Sequence, residues 1–221
     1  MVGNWLHDDI KISGKHTVQD WRMFKKEMID KGTEELWKEA YQKFFRERIK
    51  TRYLDPLDKI EKDKTWSGEG TSIMTIICSL IEFLQASYDG LSYHSGSRDT
   101  LDHQLHYGHD KAKWMFKKFL KTQPPFNQDF GGNNSSLPND FYENVRCGLI
   151  HEARLKGKWT IHAHLNKEGL VYKLPSDRWA VNRTNFKKAI FDYINHYEIL
   201  VINDKDRQRA FIRKIDSLCQ E

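Results

Sequence analysis

The residues best suited to chemistry lie in one stretch, Phe141-Tyr-Glu-Asn-Val-Arg-Cys-Gly-Leu-Ile-His-Glu-Ala-Arg154, which sets Arg146 and His151 five residues apart. An imidazole titrates near neutrality and can take or return a proton. A guanidinium stays charged and offers a planar fork to a phosphate on which negative charge is building. If the stretch is helical, five residues turn through about 140° and rise about 7.5 Å. Within one copy the two groups therefore do not easily converge on one atom. Two copies facing each other across a two-fold axis would line one cleft with both pairs, because such an interface is self-paired.

Other residues bear on this pair. Glu82 is the only charge within the apolar run 73–84. An ionised carboxylate there needs a cation, and Arg146 or His151 would serve; a helix face that reaches solvent is the competing reading. The bland reading of the motif is that Arg146 pairs with Glu143 or Glu82 and that His151 caps or packs. Asn144 and Glu152 flank the motif and are candidates to orient it. Arg154, Lys156 and Lys158 follow it and are candidates to guide phosphates, with a solvated face as the alternative.

Arg, four residues and His, with a glycine and two aliphatic residues between them, resembles the active-site motif of HEPN-domain ribonucleases. The run Ile77-Cys-Ser-Leu-Ile-Glu-Phe-Leu84 is similar to the companion helix of bacterial members of that family, and the resemblance extends over about residues 71–200. Many members carry Asn, Asp or His directly after the arginine, where this chain has Cys147. The resemblance implies an all-helical bundle and a composite site at a homodimer interface, with Arg146 and His151 catalytic. It further implies metal-independent, cofactor-free RNA cleavage, in which the 2′-hydroxyl attacks the adjacent phosphorus to leave a 2′,3′-cyclic phosphate and a 5′-hydroxyl. A bacterial defence or toxin role, with an antitoxin or other regulatory protein as partner, belongs to the same expectation. The competing class is a non-catalytic helical module for dimerisation or for binding a nucleotide or partner protein.

Composition bounds these readings. The 221 residues hold 36 Lys+Arg against 31 Asp+Glu, a net charge of +5. Residues 1–70 carry +1, residues 71–140 carry −1 and residues 141–221 carry +5. Such an excess suits a polyanion, though a solvated helical surface explains it equally simply. The 38% hydrophobic and 13% aromatic content suffices for a core. The apolar run 73–84 is shorter than the roughly 20 residues that span a bilayer. Met1 to Lys15 lack a long apolar stretch, so no signal peptide is expected and a cytoplasmic location is. Cys78, Cys147 and Cys219 form no CxxC, so neither a disulfide framework nor a zinc ribbon is expected. His103, His106 and His109 recur every third residue, near His94; on a helix that spacing drifts around the axis and makes a poor metal site. His162 and His164 share one side of a strand and read as surface residues. The phosphate-loop, dinucleotide-turn and serine-elbow motifs are absent from the sequence.

The elements that would position the motif are mostly helices. Trp21, Phe24, Met28 and Ile29 recur at helical spacing before Gly32, and Thr33 opens a second helix expected to end near Leu54, ahead of Pro56. Residues 71–88 form a helix buried on most sides, ended by Asp89-Gly90. Residues 91–110 read as loop or short helix. The next helix, 111–121, turns Trp114, Met115, Phe119 and Leu120 inward, and residues 122–137 read as loop. Pro138 beside Asn139 marks the start of the motif helix, which turns Phe141, Val145, Leu149 and Ile150 inward and ends near Gly157. Residues 159–165 and 170–174 alternate apolar and polar around a turn and predict one β-hairpin at about 158–174. Two more helices follow, the first capped by Asn182 or Thr184. The expectation is a mainly α, HEPN-like bundle with one small hairpin inserted before the last helices. It comprises a helical extension at 1–70 and a domain at 71–221, or one continuous domain.

Overall fold

The computed structural model describes residues 5–63, 67–94, 105–132, 136–163 and 166–220 and is mainly helical. The chain divides into two units, one of Met1–Pro56, Ala86–Gly108 and Asn195–Glu221, the other of Leu57–Gln85 and His109–Ile194.

The chain begins with an antiparallel ladder that its residue pattern does not announce, β1 (Lys11–Ser13) on β2 (His16–Thr17). Helix α1 (Val18–Lys31) follows. The Thr17 hydroxyl accepts from the Asp20 amide while the Asp20 carboxylate accepts from the Thr17 amide at 2.8 Å, a reciprocal cap. Gly32, at φ +62°, ends the helix where expected. Thr33 caps α2 (Glu34–Ala40). From there the helix runs unbroken through a π segment Tyr41–Arg46, α3 (Glu47–Ile49), a second π segment Lys50–Leu54 and α4 (Asp55–Lys62). The end expected near Leu54 is thus only a change of pitch. Pro56 sits in the first turn of α4, directly after a widened turn, where its missing N–H and ring are accommodated.

Helix α5 (Glu69–Asp89) is longer than the apolar run inside it. Its 21 residues are long and apolar enough to cross a membrane by length and composition, and 56% of its most apolar window is buried within the protein. β3 (Ser92–Tyr93) pairs in parallel with β4 (His106–Tyr107). Helix α6 (His109–Thr122) buries Met115, Phe119 and Leu120, but Trp114 is 52% exposed, contrary to expectation, with the Lys118 ammonium over its ring. The stretch read as loop contains α7 (Asn127–Phe130), anchored by the buried rings of Phe126 and Phe130. The motif helix comprises α8 (Leu137–Phe141), a π segment Tyr142–Arg146 and α9 (Cys147–Glu152). It stops earlier than Gly157, at Ala153 in the left-handed region, and Ile150 is 39% exposed rather than inward.

The predicted hairpin is not formed. β5 (Trp159–His162) and β6 (Val171–Leu174) lie on opposite edges of a three-stranded sheet whose centre is β7 (Arg178–Asn182). β7 runs parallel to β5 and antiparallel to β6. The physical reason is burial: Ala180, Val181 and Asn182 of β7 are sealed from solvent, so this strand takes the middle and each amphipathic neighbour pairs with it. Asn182 then caps α10 (Arg183–Asn203), its Oδ1 accepting from the Asn185 amide. Asp204 caps α11 (Lys205–Leu218).

Each unit has an aromatic core. In the first, Trp21 meets Phe44 edge-on at 5.0 Å and donates to Asp216, while Phe45 meets Tyr197 at 5.3 Å. In the second, Phe141 stacks on Phe186 at 5.3 Å and takes Trp159 edge-on at 5.4 Å. Phe119 meets Tyr193 at 4.7 Å. Phe141 thereby fixes the rotation of the motif helix about its axis, which decides what the next five residues face.

Candidate functional site

The motif belongs wholly to the second unit. Phe141, Tyr142, Val145 and Leu149 bury one side of its helix. Arg146 is the last residue of the π segment, where the amide of Cys147 reaches back five residues to Tyr142. Its guanidinium lies 5.3 Å over the Tyr142 ring and donates from Nε and Nη2 to Oε1 of Glu82, at 3.1 and 2.8 Å. The two side chains are 16% and 17% exposed. The cation required by Glu82 inside its apolar run is therefore Arg146. Burial pulls the guanidinium pKa down, but the Glu82 charge and the neighbouring Tyr142 outweigh it and leave the pKa above its ordinary value. Burial also pushes the Tyr142 hydroxyl up to about 12, and does the same to the thiol of Cys78, one turn before Glu82. Neither group ionises near neutrality.

His151 is exposed in the last turn of α9 and has no hydrogen-bond partner among the described residues. Ile150, exposed beside it, and half-buried Cys147 continue the same open surface. A fixed cation with one nitrogen, Nη1, unspent and an accessible imidazole thus lie along one helix.

Asn144 does not orient either group. Its Nδ2 donates to Asp140 Oδ1 at 2.8 Å, and the other Asp140 oxygen accepts from the Trp159 indole at 2.7 Å. Its carbonyl accepts from the Lys156 amide at 2.8 Å. Asn144 therefore ties the segment after the helix back onto the helix. Gly148 serves the same end, because a Cβ there would lie 2.5 Å from the Arg154 carbonyl oxygen. Glu152 binds Lys156 at 2.9 Å and Arg154 at 3.3 Å, which lowers its pKa, and does not reach the Arg146 guanidinium. Lys158 pairs with Asp177 at 2.9 Å. All three cations expected to guide phosphates are thus engaged with carboxylates. These are exposed pairs, worth about 0–1 kcal/mol each, that a phosphate can displace.

Asp140 is the positioning residue that the sequence reading missed. The signal was available in the four-residue spacing of Asp140 and Asn144, which puts both on one helix face. Among the other histidines, His94 and His106 face each other across β3 and β4 at 6.2 Å, and His162 binds the Tyr172 hydroxyl at 2.9 Å. His103, His164 and the side chain of His109 lie outside the described residues. All three cysteines are free thiols. Comparisons of the chain with family models, curated proteins and solved structures gave no match.

Proposed function

We propose that this chain is a metal-independent endoribonuclease of the HEPN type, active as a homodimer. The observation that carries the reading is the Glu82-held guanidinium of Arg146 on the helix that presents His151 to solvent. His151 takes the proton of an RNA 2′-hydroxyl as its oxygen attacks the adjacent phosphorus. The bond to the 5′ oxygen breaks, and that oxygen takes a proton back, giving a 2′,3′-cyclic phosphate and a 5′-hydroxyl. Arg146, with Nη1 free of Glu82, stabilises the phosphorane as charge gathers on its oxygens. The partner's copy of the helix completes the cleft, and exposed Ile150 gives the two copies an apolar contact. A defence or toxin role under control of a regulatory protein is part of the same reading and rests on the motif's resemblance.

The second reading is a non-catalytic module for dimerisation or for nucleotide or partner binding. It is favoured by the ion pairs that occupy Arg154, Lys156 and Lys158. Incubating generic RNA in EDTA with wild type, His151→Ala and Arg146→Ala separates the two. The nuclease predicts cyclic-phosphate ends from wild type and a loss of at least about a hundredfold in His151→Ala. Equal behaviour of all three proteins, or a monomer in solution, overturns it.

A further inference from the structure

A cavity of about 370 Å³ opens between the N-terminal half of the motif helix and β7, lined by Ser136, Asn139, Asp140, Glu143, Asn144 and Trp179. We infer that it seats an RNA base carrying an exocyclic amino group (adenine, cytosine or guanine) and disfavours uracil; this deepens the ribonuclease reading and rests on it. The volume falls in the range of small-ligand pockets.

The aromatic wall is built before any ligand arrives. Trp179 lies against Trp159 with centroids 5.7 Å apart and planes within 19°, and Trp159 is locked through its indole N–H to Asp140. The Lys173 ammonium covers the Trp179 ring at 5.5 Å on a side chain that is 64% exposed, a cover that a base can push aside. Stacking on such a ring contributes about 1–3 kcal/mol for any base, so it gives affinity without choice.

The polar wall supplies the choice, because it accepts rather than donates. Both Asp140 oxygens are occupied and rigid, and Asn144 has spent its Nδ2 on Asp140, leaving its carbonyl oxygen as an acceptor. Glu143 is held only by Lys113, in a pair with side chains 47% and 41% exposed that exchanges readily. Amino groups of adenine, cytosine and guanine donate to such a wall. Uracil would turn its O4 toward carboxylate and amide oxygens and lose hydration without return. The same carboxylates repel phosphate, which confines the backbone to the rim. There Lys158 and Lys173 flank a single Asp177, at 2.9 and 3.9 Å. Glu143 precedes His151 by eight residues of one continuous helix, a rise of about 12 Å, so a base in the cavity lies close to the scissile phosphate.

The test measures binding without cleavage, on His151→Ala protein, by fluorescence anisotropy of end-labelled rA4, rC4 and rU4, with AMP, CMP and UMP as competitors. The expected result is a preference of about tenfold for rA4 and rC4 over rU4. Glu143→Gln should erase that preference, since an amide can also donate to O4. Trp179→Ala should weaken all three by about tenfold. Equal binding of rA4, rC4 and rU4, or a preference that survives Glu143→Gln, overturns the proposal even if Trp179→Ala fails to fold. Competition by AMP and CMP without binding of the oligonucleotides overturns RNA as the source of the base. Loss of cleavage in wild type with the binding preference intact would sink the nuclease reading alone.

Discussion

Arg146 and Glu82, 64 residues apart in the sequence, share a two-donor contact on one carboxylate oxygen in a largely dry setting. The geometry spends Nε and Nη2 and leaves Nη1. It also explains why a charge sits in the apolar run of α5: the acid fixes the orientation of a cation that would otherwise be a mobile side chain on a helix surface. An exposed pair would contribute little. A partly buried pair is costly to break from one side, because the remaining charge stays desolvated.

Glu82→Gln should therefore destabilise the protein by about 1–3 kcal/mol in urea unfolding. If Arg146 binds the transition state, the same variant should lower kcat by about tenfold or more with a smaller change in KM. The double variant Glu82→Gln, Arg146→Met should recover part of the lost stability. Additive destabilisation in that cycle would show that the contact contributes no coupling.

Ile150→Asp addresses the composite site. An exposed isoleucine beside His151 has no role in the core of the protomer, so the substitution should leave the unfolding midpoint within about 0.5 kcal/mol of wild type. Two carboxylates meeting near a two-fold axis would nonetheless repel. Sedimentation velocity should then show monomers and RNA cleavage should fall in parallel. A dimer that persists in Ile150→Asp would move the interface elsewhere.

Gly148→Ala separates the motif's structural part from its chemical part. The added Cβ would meet the Arg154 carbonyl oxygen at 2.5 Å and the Lys156 amide nitrogen at 3.2 Å, both backbone atoms that cannot swing aside. The segment after Ala153 must then lift off the helix, and the Lys156 to Asn144 hydrogen bond is lost. A loss of about 1–3 kcal/mol is expected, with faster amide exchange at Lys156. Unchanged exchange there would mean that the segment is held by other contacts.

These contacts show which parts of the protein can be read from residues alone. Thr17, Thr33 and Gly32 act through neighbours three or four positions away, so local pattern is enough to place them. Glu82 was legible for a different reason: a charge in an apolar run demands a counter-ion, and few candidates exist. The sheet was not legible, because Arg178-Trp-Ala-Val-Asn182 is short and its parallel pairing with β5 depends on distant burial rather than on alternation. Trp114 and Ile150 were misjudged because helical spacing identifies an apolar stripe but not its edges, which the Phe141 and Phe119 contacts decide. The tie from Asn144 to Lys156 follows from a helix end at Ala153, which no glycine or proline marks.

The first unit offers a pH test independent of any activity. Lys214 is 4% exposed and its ammonium donates to the Leu91 carbonyl at 3.0 Å. Burial, with the nearby Arg48 charge adding to it, brings its pKa down to about 8. The folded value lies below that of the unfolded chain, so between about pH 8 and 10.5 the unfolded chain holds a proton that the folded protein has released. This group's contribution to stability therefore rises with pH across that window and is flat below it. Lys214→Met removes the titration while keeping the volume. The stability difference between wild type and Lys214→Met should shift in favour of wild type by about 1–3 kcal/mol from pH 7 to pH 10 in urea unfolding. The lost bond to Leu91 adds only a constant offset, because a backbone carbonyl does not titrate in this range. Parallel pH profiles for the two proteins would mean that Lys214 keeps its proton in the folded state throughout.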